Sequence, residues 1–348
     1  MERFSINVPE DVLLDLGRRL DATRWPVDGP GGVGLTDAME LAAYWRDEYD
    51  WRVAEDALNG FEQYVVDGLH CIVEGDGPPL LVLHGWPSTV WEFNRVVAPL
   101  REHFRVVVPS LPGYGWSVGV GRAGTAEMAD AMHALMAALG HREYLVAGGD
   151  WGAHIACRMG YAYPDAVRAL HLNMMPIRSP DSFPDSASAA RAELAEWTRE
   201  EGAYAAIQGT KPQTLAYGLS DSPVGLMSWI AEKFESWTDA LGVPRDDVLT
   251  TTMIYWITES IGPSFWPYYA RMHGGFMLDQ LIAGGEKIKV PLTFLDFPKE
   301  IVHVPREVAE QAFADIERWE TPDYGGHFPA LEVPDVLVDS LVRFSRST

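Results

Sequence analysis

The sequence predicts an α/β protein: a mostly parallel sheet flanked by helices, with a helical insertion late in the chain. Three observations carry this. Short apolar runs alternate with helical patterns between residues 79 and 172 and resume near 290, the rhythm of strands buried on both faces. From about 178 to 275 that rhythm stops, and the chain becomes helical in pattern and rich in aromatics. At 348 residues the chain is long enough for one large core with a sizeable insertion.

In chain order, residues 9–22 read as an amphipathic helix, with Pro9 near its start and Val12, Leu13, Leu16 and Leu20 on one face. A glycine-rich loop from Asp28 to Gly34 follows, and residues 36–50 look helical again. Phe61 to Glu74 alternates like a hairpin. The apolar runs are Pro79–Leu83, Val106–Val108, Tyr144–Ala147, Ala169–Leu172 and Val290–Leu295. Helical patterns over 91–103 and 125–140 separate several of them. Residues 61–177 and 276–348 are expected to form the core, and 178–275 a helical lid. In open sheets of this kind the site lies at the carboxyl ends of the strands.

Composition excludes several classes. The chain is 47% hydrophobic and 22% charged, a globular balance. No segment approaches the ~20 apolar residues of a membrane span. The start, Met1-Glu2-Arg3-Phe4-Ser5, lacks a secretory apolar core. Cys71 and Cys157 lie far apart in different contexts, which favours a reducing cytoplasm over a disulfide framework. A net charge of −23 repels nucleic acid and anionic membranes. The 22 Arg against 5 Lys, with abundant Ala, Gly and Val, suggest a GC-rich bacterial genome. No metal-ligand cluster or phosphate loop is recognisable, so no metal and no cofactor is expected.

The chemistry begins at Gly148-Gly149-Asp150-Trp151-Gly152, directly after the Tyr144 run and before a helical segment. Small residues two before and two after Asp150 allow the crowded strand-to-helix turn known as a nucleophile elbow. The plain structural alternative is an acidic cap on the following helix. An elbow serine that attacked a saturated carbon would form an inert ether. A carboxylate there forms an alkyl ester that water can still cleave. Asp150 therefore points to substrates with an electrophilic sp3 carbon, such as epoxides or alkyl halides.

A hydrolytic cycle needs a base, an acid to orient it, oxyanion donors and a proton for the leaving oxygen. His327, in Gly325-Gly326-His327-Phe328, has the late position expected of the base. His84, His154, His171 and His273 share its type but not its position, and His84 is expected to brace its own turn. Asp296 and Glu300 both follow the Val290 strand, and spacing alone favours Asp296. The backbone N–H groups of Trp86, in His84-Gly85-Trp86-Pro87, and of Trp151 are the candidate oxyanion donors. A tyrosine suits the proton, being neutral at pH 7. Pattern alone does not choose among the five lid tyrosines, and lid aromatics are mostly packing.

The chain resembles epoxide hydrolases of the microsomal type within the α/β-hydrolase superfamily, over nearly its whole length. At the N-terminus the resemblance rests on Arg18 to Pro26 and on Tyr44 to Arg52, which look like that family's meander over core and lid, here residues 1–60. In the catalytic half it rests on His84-Gly85-Trp86-Pro87 and on Gly148 to Ala153. In the lid it rests on Ile207 to Thr214 and Asp221 to Leu226. The resemblance implies an α/β-hydrolase fold, with Asp150 as nucleophile and His327 as base. It favours Glu300 over Asp296, and it places the lid tyrosines at Tyr204 and Tyr268, with Tyr269 in reserve. Ser88 stands where Gly is usual, Thr258-Glu259-Ser260 replaces a Thr-Gly-Thr-like stretch, and Ala270 follows the tyrosine pair where an acid is common. The stretch between Phe61 and Leu80 looks shortened. The membrane anchor of the animal enzymes has no counterpart.

The expected activity is opening of a small hydrophobic epoxide by water to a vicinal diol, through an Asp150 ester. The aromatic lid suggests an aromatic or polyketide-like substrate. The rivals are a haloalkane dehalogenase using the same Asp150 with Trp151 on the halide, and a non-catalytic binder on a hydrolase scaffold. No nucleic-acid or membrane partner is expected, and a homodimer is allowed for.

Overall fold

A computed structural model describes residues 1–240 and 242–345. The N-terminal segment opens with strand β1 (Glu2–Phe4) and continues through helices α1 (Glu10–Asp21), α2 (Leu35–Asp47) and α3 (Trp51–Asn59). The helix expected over 36–50 is α2, and α3 directly after it was not expected. Asp50 starts α3, because its carboxylate accepts the Arg52 N–H at 2.9 Å and so caps it. Glu55 on α3 then accepts the Val8 N–H at 2.7 Å and ties the segment together.

The hairpin expected over Phe61–Glu74 is present as β2 (Gln63–Val66) and β3 (Leu69–Glu74), paired antiparallel. Strands β4 (Pro79–Leu83), β5 (Arg105–Pro109), β6 (Tyr144–Gly148) and β7 (Val167–Leu172) match the four apolar runs. The helix expected over 91–103 is broken into a short turn at Val90–Phe93, capped by Thr89, and α4 (Val97–Leu100). Pro99 lacks the N–H that would continue the ladder back to Arg95. Helix α5 (Thr125–Ala138) is as expected, and α6 (Asp150–Ala162) starts at Asp150 itself.

After β7 the described chain is helical without strands until residue 288. It forms α7 (Ser188–Glu201), α8 (Ala203–Thr210), α9 (Pro212–Asp221), α10 (Pro223–Trp237), α11 (Arg245–Thr258), α12 (Trp266–Met272) and α13 (Leu278–Gly284). The fifth apolar run is β8 (Leu292–Leu295), shorter than expected because Pro291 has no N–H for the ladder. Then come α14 (Arg306–Ala312), β9 (Ile316–Glu320), α15 (Pro329–Glu332) and α16 (Pro334–Phe344).

Among the described residues the nine strands form one sheet, in the order β1-β2-β3-β5-β4-β6-β7-β8-β9. β1, β2 and β3 run antiparallel, and β5, β4, β6, β7, β8 and β9 are mutually parallel. Leu80 to Leu83 and Val106 to Val108 are buried on both faces, as a central parallel sheet requires. Each such side chain contributes about 1.5–3 kcal/mol of apolar burial. The N-terminal helices hold the lid helices through polar contacts. Tyr49 meets Thr250 at 2.9 Å, Tyr44 meets Asp246 at 2.7 Å, and Arg19 reaches Asp221 at 2.9 Å. Below them, Trp91 and Arg95 both bond the buried Asp247 of α11. Among the described residues no helix is long and apolar enough to cross a membrane.

Candidate active site

The elbow is built by backbone crowding. Asp150 has φ 44°, the left-handed region that costs an ordinary residue about 1–3 kcal/mol. Two glycines make room for it. A Cβ on Gly152 would stand 2.2 Å from the Leu83 carbonyl oxygen, and one on Gly85 would stand 2.2 Å from Asp150 Oδ1. The Asp150 side chain does not cap α6, whose cap residue is Gly149. Instead Oδ1 accepts the Trp86 N–H at 2.7 Å, and the Trp151 amide faces the same carboxylate. The register of β4 on β6 sets this meeting, since Leu83 pairs with Gly148. Burial raises the Asp150 carboxyl, and His327 and the two amides oppose that rise.

His327 lies on the other side of the carboxylate, with Nε2 3.7 Å from Asp150 Oδ2. Its Nδ1 is 2.7 Å from Glu300 Oε1, which also accepts the Ile301 N–H at 2.8 Å. Burial disfavours a charged ring, but the carboxylates of Glu300 and Asp150 outweigh it and push His327 up to about 9. Asp296, favoured by spacing alone, turns away and faces His303 at 3.1 Å. It sits at the strand end, and the chain must go on through Phe297 and Pro298 before a carboxyl can reach under His327.

The loop carrying His327 is joined to the lid. The His327 N–H bonds the Trp237 carbonyl at 2.9 Å, and the Gly325 N–H bonds Asp239 at 2.9 Å. Glu332 accepts from the amides of Asp239 at 2.7 Å and Phe328 at 2.9 Å.

Tyr204 on α8 and Tyr268 on α12 are buried over the elbow. Tyr204 stacks on Trp86 with ring centroids 5.2 Å apart, and Tyr268 meets Trp151 edge-on at 4.8 Å. Burial raises both phenols, so both are neutral donors at pH 7. Tyr269 points out, 45% exposed, and stacks on His273. Asp150, Tyr204 and Tyr268 line one cavity of about 460 Å3, which Leu194 and Trp197 of α7 also line.

The other histidines have structural partners or different places. His84 braces its own turn, with Nδ1 3.1 Å from the Gly85 carbonyl and Nε2 accepting the Leu111 N–H at 3.2 Å. His171 meets Ser340 at 2.9 Å. His154 lines the cavity, one turn along α6 from Asp150. Sequence reading passed over His154 as a site residue, and over Arg178, Arg271 and Glu92 altogether. The i, i+4 spacing from Asp150 signals His154. A place in the loop past β7 signals Arg178. Burial pushes the Glu92 carboxyl up to about 7, and it interacts with His327 and Asp150. Nothing in its local pattern separates it from a surface acid.

Comparison with known proteins agrees with this geometry. Residues 78–216 match the family described as alpha/beta hydrolase fold, and residues 1–93 match the one described as epoxide hydrolase N terminus. The chain is 30% identical to Epoxide hydrolase 1 of Oryctolagus cuniculus, over 98% of this chain and 88% of that one. It is 32% identical to the juvenile hormone epoxide hydrolase of Manduca sexta, over 97% and 84%. The solved structure of Aspergillus niger epoxide hydrolase superposes with a TM-score of 0.89 at 28% identity, covering 99% of this chain and 96% of that one. That of the juvenile hormone epoxide hydrolase of Bombyx mori gives 0.86 at 28% identity, covering 98% and 93%. A carboxylate on the elbow, this fold and full-length relatives of one activity agree: the chain belongs to the epoxide hydrolase family of the α/β-hydrolase fold.

Proposed function

We propose that this epoxide hydrolase works through a covalent ester on Asp150. The observation that carries the reading is the cavity itself, where the elbow carboxylate lies beneath two buried phenols. Tyr204 and Tyr268 hold the epoxide oxygen while Asp150 Oδ2, the oxygen not bonded to the Trp86 amide, attacks a ring carbon in line. The C–O bond of the ring breaks, the C–Oδ2 bond forms, and a tyrosine gives its proton to the alkoxide.

Esterification then changes His327. The resting ring is an imidazolium between two carboxylates. Once Asp150 is an uncharged ester, one of the charges that raised His327 is gone. The imidazolium proton returns to the tyrosinate through solvent, and the neutral ring becomes a base. It takes a proton from water as the oxygen attacks the Asp150 carboxyl carbon. The charge that develops on Oδ1 meets the Trp86 and Trp151 amides, each worth about 3–4 kcal/mol in such a site. Collapse expels the diol oxygen, which takes the proton from His327. The remaining acid proton on Asp150 passes to His327 and restores the resting state. Glu300 orients the ring throughout.

Two buried phenols suit an epoxide oxygen better than a halide. The buried indole N–H of Trp151 makes no hydrogen bond of ordinary geometry among the described residues, and that single observation favours the dehalogenase reading. One experiment tests both: intact mass of His327→Gln after incubation with a panel of epoxides and haloalkanes. A gain equal to the whole epoxide is the expected result. A gain equal to an alkyl group without its halogen would replace the reading with dehalogenation, and no gain with any compound would remove the ester. The same reading places the enzyme in a reducing cytoplasm, supported by the free, buried Cys71 and Cys157.

A further inference from the structure

The cavity above Asp150 holds two arginines that hydrolysis does not use. Arg178 comes from the loop after β7, and Arg271 lies one turn past Tyr268 on α12. Arg178 Nη2 reaches only the thioether of Met174, at 3.0 Å, and the guanidinium lies over the Trp197 ring at 5.7 Å. Its Nη1 is buried without a hydrogen-bond partner among the described residues. Arg271 has no ion pair or hydrogen bond among the described residues. Two such arginines side by side in one cavity stand out in an acidic chain. Acidic side chains outnumber basic ones 50 to 27, and Arg52, Arg95 and Arg306, among others, each meet a carboxylate.

The arrangement is costly as it stands. Burial pulls the Arg178 guanidinium below its ordinary value, and the nearby charge of Arg271 adds to that. The same two arginines, after burial, keep the His154 ring beside them neutral. Asp150 and Glu300 attract Arg178 without bonding it. A guanidinium whose buried nitrogen is left unpaired is destabilising, and a bidentate anion removes that penalty.

We propose that the natural substrate is an epoxide bearing a carboxylate, held by Arg178 and Arg271 while its epoxide ring lies over Asp150. The proposal rests on the reading of Asp150 as nucleophile beneath Tyr204 and Tyr268. A planar guanidinium fork matches a carboxylate. A single negative charge suits the cavity better than a phosphate's two, because Asp150 and Glu300 repel any anion that enters. Leu194, Trp197 and Ile301 line the same cavity and receive the hydrocarbon between the two ends.

Two paired measurements test it. Octanoate and octanamide differ in charge at one end, and their binding to the wild-type protein is compared by calorimetry at low salt. Octanoate is expected to bind at least about tenfold more tightly, the effect of one charge-assisted pair. In Arg271→Gln, on the partly exposed lid helix, the two should bind alike. In parallel, kcat/KM is measured for 7,8-epoxyoctanoate and for its methyl ester. The acid-to-ester ratio should exceed about ten in the wild type and fall toward one in Arg178→Gln and Arg271→Gln, with Arg178→Lys keeping part of it. If the arginines merely balanced Asp150 and Glu300, the variants would slow acid and ester together and leave the ratio unmoved. That result, or equal wild-type binding of octanoate and octanamide, overturns the proposal, and the wild-type comparison needs no variant to fold. Preference for octanoate with neither epoxide opened would leave the anion site standing and sink the Asp150 reading instead. Opening of both epoxides at equal efficiency would do the reverse.

Discussion

The sheet and the lid face the same cavity but build it differently. On the sheet side the reacting groups are fixed by backbone. Asp150 and the amides of Trp86 and Trp151 stand at the ends of β6 and β4, and the register of those strands sets their meeting. On the lid side the groups are the tips of long side chains. Tyr204 and Tyr268 are held by ring packing on Trp86 and Trp151, and among the described residues neither Arg178 nor Arg271 meets a carboxylate in an ion pair. Under the proposed mechanism the difference is a division of labour: the sheet decides what bond is broken, and the lid decides which molecule is presented to it.

The sharpest way to break that division is Asp150→Ala. It should cost about 10^4-fold or more in turnover and eliminate any covalent adduct, because no lid group can replace the carboxylate. Normal turnover in this variant would end the proposed mechanism. Glu300→Gln comes next. It leaves the His327 ring without its orienting charge and should slow ester hydrolysis about 10^3-fold, while ester formation in single-turnover mixing stays fast. Equal loss in both steps would mean that Glu300 supports the fold of the loop rather than the base.

On the lid side, Tyr204→Phe and Tyr268→Phe should each slow ester formation roughly 10–100-fold, the effect of losing one bond to a developing charge. The double variant should lose far more, because either phenol can serve in the other's absence. A single Tyr→Phe change as damaging as Asp150→Ala would place the lid among the bond-breaking parts and undo the comparison.

The smallest effect on turnover, within about tenfold, is expected from Glu92→Gln behind the base. Its signature is in stability. Glu92 shifts from 4.5 up to about 7 in the folded protein, so the folded form holds an extra proton between those values. Stability from this group is therefore fully present below pH 4.5 and is lost as pH rises through about 7, by about 3 kcal/mol. Chemical denaturation at pH 4.5 and pH 7.5 should show that loss shrinking in Glu92→Gln.

The same contrast explains what could be read from sequence. The central strands were legible because burial on both faces forces unbroken apolar runs such as Leu80 to Leu83. The elbow was legible because crowding forces glycine at 148 and 152. β9 was not, since Ile316–Glu320 is an edge strand of half-buried, mixed residues. β1 was too short to carry a period. α3 had a signal, Asp50 as its cap, that was passed over because the helical reading stopped at residue 50. Glu300 over Asp296 needed the family resemblance, because the loop reaching under His327 has no periodicity. The lid tyrosines needed it too, since a tyrosine packed for stability and one placed for catalysis have the same neighbours in sequence. The cavity arginines left no sequence mark beyond their positions.

The joining of the His327 loop to the lid also governs traffic. The Trp237 carbonyl and the Asp239 carboxylate grip the backbone of Gly325 and His327 from the end of α10. A lid that swung away as a body would pull the base out of line with each opening. On the proposed mechanism, passage in and out would fall between α7–α8 and α12, where Met272 of the cavity lining stands 54% exposed. A chain tied shut beside His327 and exposed at Met272 would let diol and fresh epoxide exchange while the proposed base stays set for the next cycle.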